Sequence, residues 1–126
     1  MKAILDTSVL LAVDLPALDG ELAISTASLA ELHFGVLVTA DATIRAERLR
    51  RLLALQRTFD ALPVDEQVAA SYGQLAAAVV SAGRQPRSRA MDLLIAATAH
   101  AHDARLYTRN AGDLAGVEHL LDIVSV

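Results

Sequence analysis

The chain has 126 residues, 54% of them apolar, with 11 Lys and Arg against 15 Asp and Glu for a formal charge of −4 at pH 7. This length supports one domain, residues 1–126, burying roughly two-thirds of its unfolded surface, while charged residues stop every apolar run short of the ~18 residues that span a bilayer. No cysteine is present, which removes disulfides, thiolate zinc sites and a Cys nucleophile, and the net acidity leaves only local basic patches for polyanion binding.

Lys2 to Leu5 predicts a first strand, followed by the acidic turn Asp6-Thr7-Ser8 and a short helix through about Val13, with Pro16 and Gly20 ending the unit. Asp6 interrupts the only stretch resembling a signal-peptide core, which predicts a cytoplasmic protein without a membrane anchor. Leu22 to Ser25 predicts a second strand, and Ser28 opens a helical run with Leu29, Leu32, Val36 and Leu37 on one side. Asp41 caps a third helix, about Ala42 to Thr58, whose five arginines between Arg45 and Arg57 make one face strongly charged and predict a solvated or partner-binding surface. Leu62-Pro63-Val64 is a brief extended piece. Asp65 then caps a helix whose Val68, Tyr72, Leu75, Ala76, Val79 and Val80 form the clearest apolar stripe in the chain, ended by Gly83.

The segment Arg84 to Arg89 is a basic loop leading into a helix from about Ala90 to His102, apolar nearly all round and rich in alanine, and so expected to pack closely on a sheet. Asp92 is its one acidic residue. Arg105 to Thr108 predicts a strand, Asn110 to Asp113 a turn, and Leu121 to Val126 a final edge strand. Alternating strands and helices imply an α/β fold, three-layered, with a short, mostly parallel sheet flanked by helices.

In such sheets ligands bind beyond the carboxyl ends of the strands. Asp6 ends the first strand, Glu31 lies one turn into the helix after the second, Asp92 sits in the first turn of the apolar helix, and Asp113 follows the strand ending at Thr108. Each has a local alternative. Asp6 also suits a helix cap, Glu31 a capping box with Ser28, Asp92 the helix macrodipole, and Asp113 a turn. Taken together, four acids on one rim would repel one another unless a cation neutralised them. A hard divalent ion, Mg²⁺ or Mn²⁺, suits an all-carboxylate set. The matching chemistry is metal-assisted phosphodiester hydrolysis, with a second ion possible at ~4 Å.

The same residues carry a resemblance. The strings I-L-D6-T-S8-V-L-L, S28-L-A-E31-L, M-D92-L-L-I-A-A-T-A and L-Y-T108-R-N110-x-x-D113-L are similar, in order and spacing, to those of the PIN-domain ribonucleases, and within them the VapC-type toxins of toxin–antitoxin modules. The resemblance spans essentially the whole chain. It implies a PIN-like fold and a Mg²⁺- or Mn²⁺-dependent endoribonuclease, homodimeric and inhibited by a VapB-type antitoxin. It further implies that Asp6 and Asp92 ligate metal directly, that Glu31 and Asp113 complete the metal site through waters or act as base, and that Ser8 and Thr108 orient the carboxylates. Some members place the fourth acid where this chain has Asn110, so Asn110 and Asp113 both stand as candidates for that role.

Arg84, Arg87 and Arg89 precede Asp92 and can hold RNA phosphates or simply face solvent, and Arg109 can reach a phosphate or pair with a rim acid. The four aromatic residues are too scattered for a base-stacking platform. The histidines show no H-E-x-x-H pattern. Lys2 is the only lysine, which removes the late-strand lysine of a phospho-receiver, and D-T-S-V lacks the second Asp of a D-x-D phosphatase loop. A catalytically silent PIN-like module that binds RNA or protein is the remaining alternative.

Overall fold

A computed structural model describes residues 1–126. The strands are β1 (Lys2–Leu5), β2 (Glu21–Ser25), β3 (Asp60–Leu62), β4 (Arg105–Thr108) and β5 (Ile123–Ser125). The helices are α1 (Thr7–Leu10), α2 (Thr26–Val38), α3 (Ala42–Thr58), α4 (Glu66–Ser81) and α5 (Ala90–Ala101), with 3₁₀ turns at Arg87–Arg89 and Ala111–Leu114. The five strands form one sheet in the order β3-β2-β1-β4-β5, and every neighbouring pair is parallel. Two layers of helices cover it. Ile4, Ala23 and Leu106 face a core completed by α4 and α5, while Ala3, Leu5, Ile24 and Tyr107 face the opposite core, against α1 and side chains of α2 and α3. Adjacent residues of one strand thus serve opposite faces, as the pleat requires. No helix is long and apolar enough to cross a membrane.

Helix α5 is buried along most of its length, from Leu93 and Ile95 through Ala99. Its alanines let it lie close to α4 and the sheet, as the sequence predicts. Helix α4 ends at Gly83, whose φ of +78° is left-handed. There the amide of Arg84 donates to the Val79 carbonyl at 3.0 Å and that of Gly83 to Val80 at 2.9 Å. These are the paired bonds of a Schellman cap, and glycine adopts its backbone without a Cβ penalty.

Several boundaries differ from the sequence expectation. Helix α1 is a single turn because Leu11 and Val13, 55% and 89% exposed, have no core to pack against and so nothing to extend it. Helix α2 begins at Thr26, since Ser25 caps it through the Ala27 amide at 3.1 Å. Strand β3 lies earlier than Leu62-Pro63-Val64, ending at Leu62 opposite Ser25; Pro63 has no N–H with which to continue the ladder. On α3, Arg45, Arg48 and Arg51 turn back to main-chain carbonyls of Thr39, Gly35 and both Leu10 and Ala12. The charged face therefore satisfies the orphan acceptors at the ends of α1 and α2.

Candidate active site

Chain order places β2 on one side of β1 and β4 on the other, so the crevice between the ends of β1 and β4 is where connections diverge. Ligands collect at such a switch point in parallel sheets. Leu5 pairs with Tyr107, so the next residues, Asp6 and Thr108, emerge side by side. The Asp6 amide donates to the Tyr107 carbonyl at 3.0 Å, fixing its backbone.

Asp6 occupies the N-cap position of α1, yet its side chain caps nothing. Its Oδ2 instead accepts from Ser8 Oγ and Thr108 Oγ1, each at 2.8 Å. Those hydroxyls are themselves held by main chain: the Arg109 amide donates to Ser8 Oγ and the Asn110 amide to Thr108 Oγ1, both at 3.0 Å. The carboxylate is 7% exposed, and Oδ1 has no protein donor.

Glu31 does not form a capping box with Ser28. The earlier start of α2 moves Glu31 into the second turn, where its Oε1 accepts from Thr7 Oγ1 at 2.7 Å. Asp92 lies in the first turn of α5, and no hydrogen bond stabilises its charge. Burial first, then the charges of Asp6, Asp113 and Glu31, push its carboxyl from 3.8 up to about 6, opposed by Arg89. Asp113 sits in the 3₁₀ turn after β4, with Oδ1 3.3 Å from an Arg89 guanidinium nitrogen. Three acids from three other segments thus act electrostatically on Asp92.

No three of them converge into a closed ligand cage. Open carboxylates whose charges reach Asp92 suit an ion that keeps part of its water shell, as Mg²⁺ does when held by one or two carboxylates. The free Oδ1 of Asp6 and the carboxylate of Asp92 could hold such an ion directly.

Residues 3–118 match the model of the PIN domain. The chain belongs to the PIN-domain family. Ribonuclease VapC8 of Mycobacterium tuberculosis is 39% identical over 103 residues, covering 76% of this chain and 88% of that protein. Ribonuclease VapC5 of the same organism is 37% identical over 102 residues, covering 76% and 73%. The crystal structure of VapBC-5, from the VapBC family of toxin-antitoxin systems of M. tuberculosis, superposes with a TM-score of 0.87 at 34% identity over 99% of this chain and 98% of that one. FitAcB from Neisseria gonorrhoeae, with a TM-score of 0.78 and 24% identity over 98% and 96%, shares the fold.

Around the acids of this PIN domain the basic residues divide. Arg84 and Arg89 line a 220 Å³ pocket with Gln85, Ser88 and Asp113, directly beside the cluster. Arg87 is exposed in the neighbouring 3₁₀ turn and does not line that pocket. Arg109 turns aside to Asp14, 3.1 Å away in the α1–β2 connection. Asn110 is exposed, and its side chain caps nothing, while its backbone holds Thr108; it is Asp113 whose charge reaches Asp92. Sequence reasoning passed over Thr7, the donor to Glu31. The only available signal was its position beside Asp6, and a β2–α2 junction two residues earlier than expected hid its partner.

Proposed function

We propose that this PIN domain is an endoribonuclease that hydrolyses RNA phosphodiester bonds with Mg²⁺ or Mn²⁺, acting as the toxin of a type II toxin–antitoxin pair. The observation that carries this reading is Asp92: a half-buried carboxylate raised to about 6 by burial first and then by three other acids, with Arg89 offsetting only part of that rise. Clustered, uncompensated carboxylates at a strand-end crevice are costly to folding and useful for holding a cation against a phosphate. Asp6 and Asp92 are assigned as direct ligands, and Glu31 and Asp113 hold and orient water at the cluster's edge. When bound, the ion lowers the pKa of a water and neutralises charge on the phosphoryl oxygens. Ser8 and Thr108 lock Asp6 in one rotamer. Arg89, released from Asp113, and Arg84 hold the phosphate beside the scissile bond, as guanidinium forks do; Arg87 contacts a flanking phosphate.

The names of the ribonuclease relatives support the RNA assignment, and the VapBC-5 structure supports a VapB-type antitoxin as partner. A 350 Å³ groove lined by Leu11, Leu32, Leu52, Arg48 and Arg51 reaches Glu31, and there a bound antitoxin would close the acidic site. Self-association into a homodimer in the cytoplasm completes this reading.

The test is cleavage of a panel of transfer and ribosomal RNA by chelator-stripped protein, with and without Mn²⁺ or Mg²⁺, beside Asp6→Asn and Asp92→Asn preparations. Discrete cuts that require metal and fall at least about a hundredfold in either variant are expected, since the loss removes a group acting on the reacting phosphate. Wild type and variants equally inert but still binding RNA or a partner protein would support the catalytically silent module instead.

A further inference from the structure

Glu31 is the one acid of the cluster placed on a long, flexible side chain in mid-helix, and a single hydroxyl holds it. Thr7 Oγ1 lies 2.7 Å from Glu31 Oε1 and 3.0 Å from Ser28 Oγ. A threonine hydroxyl has one proton, and an ionised carboxylate only accepts. The proton of Thr7 therefore goes to Glu31, and the shorter contact agrees with that. Ser28, wholly buried, places its Oγ beside the same hydroxyl as a competing acceptor at the longer distance. The result is a chain of contacts from Ser28 through Thr7 to Glu31, joining α1 to α2 one residue away from Asp6.

The surroundings give that chain a task. Thr7 and Glu31 line the same groove as Arg48 and Arg51. Both arginines have guanidinium donors left over after their bonds to main-chain carbonyls, Arg48 to Gly35 and Arg51 to Leu10 and Ala12. A glutamate free to rotate in this groove is drawn toward those cations and away from Asp6 and Asp92, because opposite charges attract and the two acids repel it. We propose that Thr7 is a positioning residue: its hydroxyl holds the Glu31 carboxylate in the acidic cluster against the pull of Arg48 and Arg51. The assignment rests on the ribonuclease reading only for its effect on rate; the position of Glu31 is measurable without RNA.

The experiment compares Thr7→Val, which keeps the shape and removes the hydroxyl, with Thr7→Ser, which keeps the hydroxyl, and with Ser28→Ala, which leaves α1 untouched. In metal-free protein labelled with carboxyl-¹³C glutamate, only five resonances occur, and Glu31→Gln identifies the one from Glu31. Thr7→Val is expected to move that resonance, while Thr7→Ser and Ser28→Ala, which both keep a hydroxyl proton for Glu31, leave it in place. On RNA, Thr7→Val should lower kcat about tenfold with KM changed less than about twofold, while Thr7→Ser stays within about threefold of wild type. Adding Arg48→Met to Thr7→Val should recover part of the lost rate. A Glu31 resonance unmoved in Thr7→Val overturns the proposal, as does Thr7→Ser losing as much rate as Thr7→Val. Should Thr7→Val fail to fold, Thr7→Ala, which also removes the hydroxyl, decides by the same resonance. If wild type cuts no RNA, the ribonuclease reading falls, and the resonance alone decides the role of Thr7.

Discussion

Both hydroxyls that reach Asp6 Oδ2 are themselves anchored by backbone amides of the turn after β4. This carboxylate is therefore oriented by groups whose positions the sheet already sets, and little freedom remains to be frozen when a substrate arrives. Thr108→Val removes one of the two donors and leaves the Asn110 amide facing a methyl group. Its expected effect is a loss of about 1–2 kcal/mol in stability, seen in urea unfolding, together with a fall in cleavage rate that Thr108→Ser largely restores. Asp92 makes a different prediction. Its folded pKa of about 6 exceeds the ordinary 3.8, so the native state binds this proton more tightly than the unfolded chain does. Its contribution to stability is complete below pH 3.8 and lost as pH rises through 6. In metal-free buffer, Asp92→Asn should raise stability at pH 7 by about 1 kcal/mol, the partial exposure of the group reducing the full linkage value. The gain should shrink toward zero in melts below pH 3.8. At this scale all four acids were legible as candidates in the sequence, because each follows a strand or opens a helix. What lay beyond reading was which local bond each made. Glu31 looked like half of a capping box until Ser25 proved to be the cap, and Arg109 looked like a phosphate contact although it turns to Asp14.

The elements were legible where periodicity is strong and blurred where packing decides. Helix α4 shows its apolar stripe and its glycine stop in the sequence, and the structure ends it with Gly83 in the left-handed region. Gly83→Ala should therefore cost about 1 kcal/mol and lower the melting temperature, with no neighbour in the way of the added methyl. Its effect on cleavage should be larger than a surface mutation's, since the cap directs the chain into the Arg84–Arg89 segment. Helix α1 was overestimated by a turn, because alternation of apolar residues cannot reveal that Leu11 and Val13 lack a core to face. The junction between β2 and α5 was also hidden. There Ser25 Oγ and Thr98 Oγ1 meet at 2.9 Å in the interior, Thr98 donates to the Leu94 carbonyl, and Ser25 accepts the Ala27 amide. This buried pair ties the start of α2, which carries Glu31, to α5, which carries Asp92. Thr98→Val should destabilise by about 1–3 kcal/mol by stranding Ser25, a change read directly from the urea midpoint.

Across the whole molecule, the sheet order follows from sequence only in outline: alternating strands and helices imply parallel pairing, but nothing local says that β1 is central with β2 and β4 on either side. That arrangement assembles the acidic crevice, and under the proposed metal dependence it would link folding to metal. Mn²⁺ at one hundred times its dissociation constant should stabilise the wild-type protein by about 2.7 kcal/mol, raising its melting temperature. Asp6→Asn and Asp92→Asn should show little of that rise, since each loses a ligand as well as a repulsive charge. The central pairing also spans nearly the whole chain: Asp6 and Thr108 are 102 positions apart. Synthesis proceeds from the N-terminus, and contacts of such long range form only after the intervening chain is available. A polypeptide still emerging from the ribosome carries Asp6 and Glu31 but has no β4 to complete the crevice. The acidic centre comes into being only near the end of translation, so under the proposed ribonuclease reading a growing chain lacks the completed site.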